Sequence, residues 1–280
     1  MGYWFTHETL APACTFLLLL VSSSCLYTAG MVLNDVFDVE QDSRERPQRP
    51  IPSGRISRTA AARIGYSLLA IGVLIGCVAA LPNLFPIAPI LGGLVGSILL
   101  YDRYLKRWWL GPILMGSCRF FNVLLGMSLL HRPLEMPNWL AASCIGVYVL
   151  GITLFARREA AINRRVSLAA AFAVIFLGIA LIGGIPFLIP ARQLAPPISS
   201  DAKIWLAFWS ILTVLLSWRF VGAVIDPSQR RVQVAVKSGI LAIIALDAAI
   251  VLCVRGPMPS AIVLCLLVPT IALGRWVYST

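Results

Sequence analysis

The sequence predicts an all-α, polytopic membrane helical bundle, and three observations carry that prediction. Of the 280 residues, 59% are hydrophobic and only 12% are charged. The mean hydropathy is +0.86, and a soluble domain of this length has no interior large enough for so much apolar surface. The apolar residues gather into runs near the ~20 residues that a helix needs to cross a hydrocarbon core. The basic residues, finally, concentrate in alternate connections between those runs.

Nine runs are candidate spans: 9–33, 59–80, 84–101, 110–130, 138–156, 167–190, 203–225, 237–254 and 259–276. The third and the last two are short and lean on flanking Tyr and Trp as interface anchors. The loops after the first, third, fifth and seventh spans, with the C-terminal end, hold sixteen Lys and Arg residues, and the opposite loops hold four. That asymmetry predicts an outer N-terminus, an inner C-terminus and cytoplasmic loops at 34–58, 102–109, 157–166 and 226–236. A multi-pass protein of a bacterial inner membrane is the expected location. The net charge of +11 is thereby explained by topology rather than by nucleic acid, and no nucleic-acid partner is expected.

All seven cysteines fall inside apolar runs, with no CxxC pair and no neighbouring histidine, so neither disulfides nor zinc are expected. There is no basic n-region or A-x-A site that would mark a cleaved signal peptide. With no linker or low-complexity tract, residues 1–280 read as a single transmembrane domain.

The first span runs into "NDVFDVEQDSRERPQRPIPSG", residues 34–54, where five acids collect in a chain otherwise poor in charge. Asn34, Asp38 and Asp42 are spaced i, i+4, i+8, so a helix continuing past the membrane places all three along one face, about 6 Å apart along its axis. Asp35 borders that face. Pro47, Pro50 and Pro52 stop the helix, and Ser57 or Thr59 is placed to cap the next one. Carboxylates so close together need something positive between them. Oxygen-only donors without His or Cys suit a hard cation such as Mg²⁺, which takes one or two carboxylates and completes its shell with water and phosphate. Arg44, Arg46 and Arg49 suit a phosphate. The plainer reading is a solvated loop whose acids pair with its own arginines.

"NDVFDVEQD" with "RPIPSG" resembles the first aspartate-rich motif of the UbiA superfamily of intramembrane prenyltransferases, and the order of spans resembles that family over nearly the whole chain. The resemblance implies a helical bundle with a central cavity capped by cytoplasmic loops, and transfer of a prenyl chain from a polyprenyl diphosphate to a lipophilic or aromatic acceptor. It implies Asn34, Asp38 and Asp42 as Mg²⁺ ligands, with Asp38 and Asp42 at the chemistry. Lys106, in "YDRYLKRWW" at 101–109, matches a family lysine that helps hold the diphosphate, and Arg49 is a second candidate for that role. The family's tyrosine precedes its lysine by four residues, whereas Tyr101 precedes Lys106 by five. Tyr104 and the adjacent tryptophans read equally as interface anchors.

Arg119 and Asn122, inside an apolar span and three residues apart, share a helix face. They read as diphosphate or acceptor contacts, or, for Arg119, as half of a structural pair with Asp247. The chain departs from the family at the second aspartate-rich motif. The loop at 152–166 reads "ITLFARREAAINRRV", with Ala156 and Ala160 where aspartates are expected and Arg158 as a candidate diphosphate contact. This pattern is similar to the EboC-like subgroup. It leaves a second expectation open: a prenyl-lipid binding or translocation protein without turnover. The family's first helix, which precedes the motif-bearing one, is expected to be missing from this chain, and the ninth span reads as an added C-terminal helix.

Overall fold

The computed structural model describes residues 1–10, 12–81, 84–129, 134–157, 164–190, 194–196 and 202–278. Among them the secondary structure is helical, with no strand. The chain divides into two compact units, residues 10–133 and residues 1–9 with 134–280.

The first unit contains α2 (Ala13–Phe37), α3 (Val39–Glu45), α4 (Arg58–Ala79), α5 (Ile87–Leu100) and α6 (Gly111–Met127), with a five-residue π turn, Tyr101–Leu105, between the last two. The first helix runs four residues beyond the apolar span, to Phe37, and the charged stretch that follows keeps helical hydrogen bonding. Ser57 caps α4 as expected, its Oγ accepting from the Ala60 N–H at 3.2 Å, a contact worth about 1 kcal/mol. Helices α2 and α4 approach closely along a stripe of small residues. A Cβ on Gly65, Gly72 or Gly76 would come within 2.9 Å of Leu33, Leu26 or Ser22, and the Ser22 hydroxyl donates to the Gly72 carbonyl at 2.7 Å. In a bilayer, where burying apolar surface gives little drive to associate, such close backbone approach and interhelical hydrogen bonding hold helices together.

The second unit contains α1 (Gly2–Thr6), α7 (Met136–Arg157), α8 (Arg164–Leu188), α9 (Ala202–Ile225), α10 (Gln229–Arg255), α11 (Pro257–Cys265) and α12 (Leu267–Tyr278). The same device joins α7 to α8, since a Cβ on Gly178 would lie 2.8 Å from the Tyr148 backbone. Tyr148 donates to the Gly239 carbonyl of α10 at 3.0 Å. Phe155 and Phe220 meet edge to face at 5.1 Å, joining α7 to α9. At the other end Arg255 donates to the Trp4 carbonyl at 2.9 Å and anchors α1.

Among the described residues, six helices, α2, α4 and α7 to α10, are long and apolar enough to cross a membrane. The protein is an integral, multi-pass membrane protein. The other three expected spans are shorter: α5 has 14 residues, α6 has 17, and the run at 259–276 is broken into α11 and α12. The break has a local cause. Pro269 has no N–H to give the Cys265 carbonyl four residues earlier, and the helix interrupts at Leu266.

The Tyr148–Gly178 approach yields a packing test. Gly178→Val should destabilise the protein by roughly 1–3 kcal/mol, the usual cost of overpacking. Gly184→Ala, where an added Cβ meets nothing within 4 Å, should change it little. Unfolding of both variants in detergent measures the difference.

Candidate active site

The site is built at the end of α2. Asp38 terminates that helix with φ −87° and ψ 2°, yet the hydrogen-bond ladder runs through the bend. The Asp38 N–H donates to the Asn34 carbonyl at 3.0 Å, Asp42 to Asp38 at 2.8 Å, and Arg46 to Asp42 at 2.8 Å. The three expected donors therefore stay in a stack, one turn apart.

Two cations bridge this stack. Lys106 Nζ donates to Asn34 Oδ1 at 2.6 Å and to Asp38 Oδ2. Arg49 Nη1 donates to Asp42 Oδ2 at 2.7 Å and to Asp35 Oδ1 at 3.1 Å. Asp42 is buried, its side chain 7% exposed, so removing that guanidinium would leave a buried carboxylate without its ion-pair partner. Arg49 reaches back because the proline-rich segment folds on itself. The Arg49 N–H bonds Arg46 O at 3.1 Å, Ser53 N–H bonds Arg49 O at 3.0 Å, and Gly54 supplies the positive φ of 77° at the turn.

The π turn resolves the five-residue spacing between Tyr101 and Lys106. The Lys106 N–H bonds the Tyr101 carbonyl at 2.9 Å, an i to i−5 bond. One extra residue is thus absorbed, and the lysine still lies one helical turn after the tyrosine; such bulges occur often at functional sites. The same turn carries Asp102, which is 8% exposed and was not singled out by the sequence. Burial pushes its carboxyl up to about 7; Lys106 opposes that shift, and Asp38 and Asp35 add to it. An acid one residue past an apolar run was its only sequence signal.

Asn122 has a different position. Its Nδ2 donates to Ser23 Oγ at 2.6 Å, tying α6 to α2, and Arg119 Nη1 donates to Asn122 Oδ1 at 3.4 Å. Ser23 precedes Asn34 by eleven residues, about 16 Å along the helix axis. Arg119 and Asn122 share a helix face as expected, at a different depth from the acidic stack. Asp247 lies in the second unit, buried in α10. Ala156 is in the last turn of α7, while Arg158 and Ala160 lie outside the described residues.

The donor chemistry fits Mg²⁺ bound through few protein ligands. Asn34, Asp35, Asp38 and Asp42 present oxygen alone and already accept positive groups in two pairs. Among the described residues, no three His, Cys, Asp or Glu side chains converge to cage an ion. Mg²⁺ has no need of such a cage, since water and phosphate complete its octahedron.

Residues 1–236 match the sequence profile of the UbiA prenyltransferase family. The chain belongs to that family. Relatives within it include the digeranylgeranylglyceryl phosphate synthase of Sulfolobus acidocaldarius, 37% identical over 109 residues, which are 38% of this chain and 37% of that protein. The enzyme of the same name from Methanothermobacter thermautotrophicus is 33% identical over 139 residues, 48% of this chain and 46% of its own. The chain thus spans less than half the length of these relatives in the matched regions. A solved structure of a digeranylgeranylglyceryl phosphate synthase in membranes has the same fold, with a TM-score of 0.66 over 91% of each chain at 18% identity. These likenesses reach the UbiA family as a whole; the EboC-like pattern rests on the sequence motifs alone.

The Arg49 bridge gives the site its own stability test. Arg49→Gln should cost about 1–3 kcal/mol, less than for a fully buried pair because a third of Arg49 is exposed. Adding Asp42→Asn to that variant should recover much of the loss, which a double-mutant cycle in detergent would measure.

Proposed function

We propose that this UbiA family protein transfers a prenyl group from a prenyl diphosphate to an acceptor within the membrane, in a Mg²⁺-dependent reaction. The observation that carries the reading is the oxygen stack Asn34, Asp38 and Asp42 with Lys106 and Arg49 set directly against it. The relatives' name, digeranylgeranylglyceryl phosphate synthase, supports geranylgeranyl diphosphate as donor and a glyceryl phosphate lipid as the first acceptor to try. The arginine asymmetry of the loops supports a cytoplasmic site.

Asn34, Asp38 and Asp42 would hold Mg²⁺, which supplies Lewis-acid neutralisation of the departing diphosphate. Lys106 and Arg49 stand where they can stabilise the same charge. The allylic carbon–oxygen bond breaks with both electrons going to the diphosphate. The prenyl carbon then bonds to the acceptor atom, which gives up its proton. Apolar helices keep water from the carbocation. Arg119, deeper in the bundle, and Arg158 remain candidates for substrate contact. One observation favours the alternative of a prenyl-lipid carrier: Ala156 stands where the family's second motif has an aspartate.

Pyrophosphate release from geranylgeranyl diphosphate separates the two readings, measured with the purified chain, native lipid extract as acceptor and Mg²⁺. Release should be abolished by chelator and should fall at least ~10²-fold in Asp38→Ala, the scale of a lost transition-state contact. Labelled diphosphate that binds through Asp38 without any release would overturn the enzyme reading in favour of the carrier.

A further inference from the structure

A second basic site lies in the other unit, where α9 passes into α10. Trp218, Arg219, Gly222, Arg230, Arg231 and Val234 line a cavity of about 460 Å³, with Val221 and Ile225 completing its wall. None of these residues belongs to the acidic stack or to the prenyl-transfer proposal.

Three guanidiniums face this space with little to balance them. Arg230 and Arg231 sit in the first turn of α10, which holds no acidic residue, at the end of a helix whose dipole is already positive. Asp226 pairs with Arg231 at 3.2 Å. Among the described residues, Arg219 and Arg230 make no ion pair. The positive-inside rule accounts for Arg230 and Arg231 as loop residues, but it gives no reason for Arg219. That residue lies six positions before the end of α9, about 9 Å into a helix whose other charged residue, Lys203, is at the opposite end. An arginine at that depth is costly unless it reaches an anion or an interface.

The wall beside the arginines is apolar and continues along α9. Ile211, Leu215, Trp218, Gly222 and Ile225 recur at helical spacing on one face, and Trp218 is 76% exposed. Gly222 keeps the middle of that face open, since a Cβ there would meet nothing within 4 Å. The site therefore combines a cationic end with an apolar track running along the helix axis. That is the complement of an amphiphile with an anionic phosphate head and an acyl chain, and basic pockets between membrane helices bind such head groups.

We propose that this cavity is a binding site for an anionic phospholipid of the surrounding bilayer, its phosphate held by Arg219, Arg230 and Arg231 and one acyl chain lying along Trp218, Leu215 and Ile211. The site is independent of the transfer reaction.

Native mass spectrometry of the detergent-purified chain, titrated with phosphatidylglycerol and with phosphatidylcholine, tests the site. Phosphatidylglycerol should be retained preferentially. Its retention should fall about tenfold or more in the Arg219→Gln/Arg230→Gln variant. Gly222→Leu, which blocks the track without changing charge, should lower retention as well. Arg165→Gln/Lys237→Gln, which removes two basic charges outside the cavity, should leave it unchanged. Both arginines of the first variant are exposed, so its fold should survive, and its melting temperature in detergent verifies this. Equal retention of the two lipids, or equal loss in the control variant, would overturn the site in favour of diffuse surface charge. Displacement of the lipid by inorganic phosphate alone would also overturn it, because the acyl track would then contribute nothing.

Discussion

Acidic side chains stacked a turn apart on one helix face repel one another, and at the end of an apolar helix the repulsion is screened less than in water. The end of α2 carries such a stack, and the rest of its unit supplies two cations to hold it. Lys106 arrives from 68 residues away in the sequence, Arg49 from a loop only seven residues past Asp42. Each requirement has a visible structural cost. The loop needs three prolines and a positive-φ glycine to double back. The lysine needs a π turn to bring it round after the apolar run of α5. The close glycine packing of α2 against α4 fixes the helix on which everything else is registered. Removing Arg49 would leave the Asp35 and Asp42 carboxylates without their shared cation, and removing Lys106 would leave Asp38 without its own, so the arrangement is as much a condition of the fold as a preparation for chemistry.

Much of this was legible in the sequence, and the reasons differ by residue. The Asn34, Asp38 and Asp42 stack follows from spacing alone, because a four-residue repeat means one helix face whatever the protein. The cap of α4 was legible down to two residues, Ser57 and Thr59, because a hydroxyl ahead of a helical run after prolines is placed to cap it; the hydrogen bond to Ala60 selects Ser57. Asp102 was not legible, because its importance comes from burial in a π turn. The five-residue gap from Tyr101 to Lys106 was the trace of that turn, visible as an anomaly and explained only by the hydrogen bond. The interruption at Leu266 was readable from Pro269 but hidden by an apolar run long enough to pass for one span. Asn122 shows the limit of sharing a face. Its partnership with Arg119 was predictable from three-residue spacing, whereas its depth, set by Ser23 on another helix, was not.

The missing second acidic motif bears on how the proposed reaction balances charge. A prenyl diphosphate carries more negative charge than one Mg²⁺ neutralises, and a second acidic motif would let a second metal take up the remainder. With alanine at 156 and four arginines within 157–165, the proposed reaction would leave the remainder to guanidinium and ammonium groups. Such groups neutralise the anion without first gathering carboxylates that need neutralising themselves. Lys106 and Arg49 are already engaged with the acidic stack, so in the proposed site they serve the substrate only as their carboxylate partners turn toward metal. In the sequence of the 157–165 loop, Glu159 is the one acid among four arginines. On this accounting, exchanging acids for arginines is compatible with turnover, provided the anion can recruit both sets of cations at once.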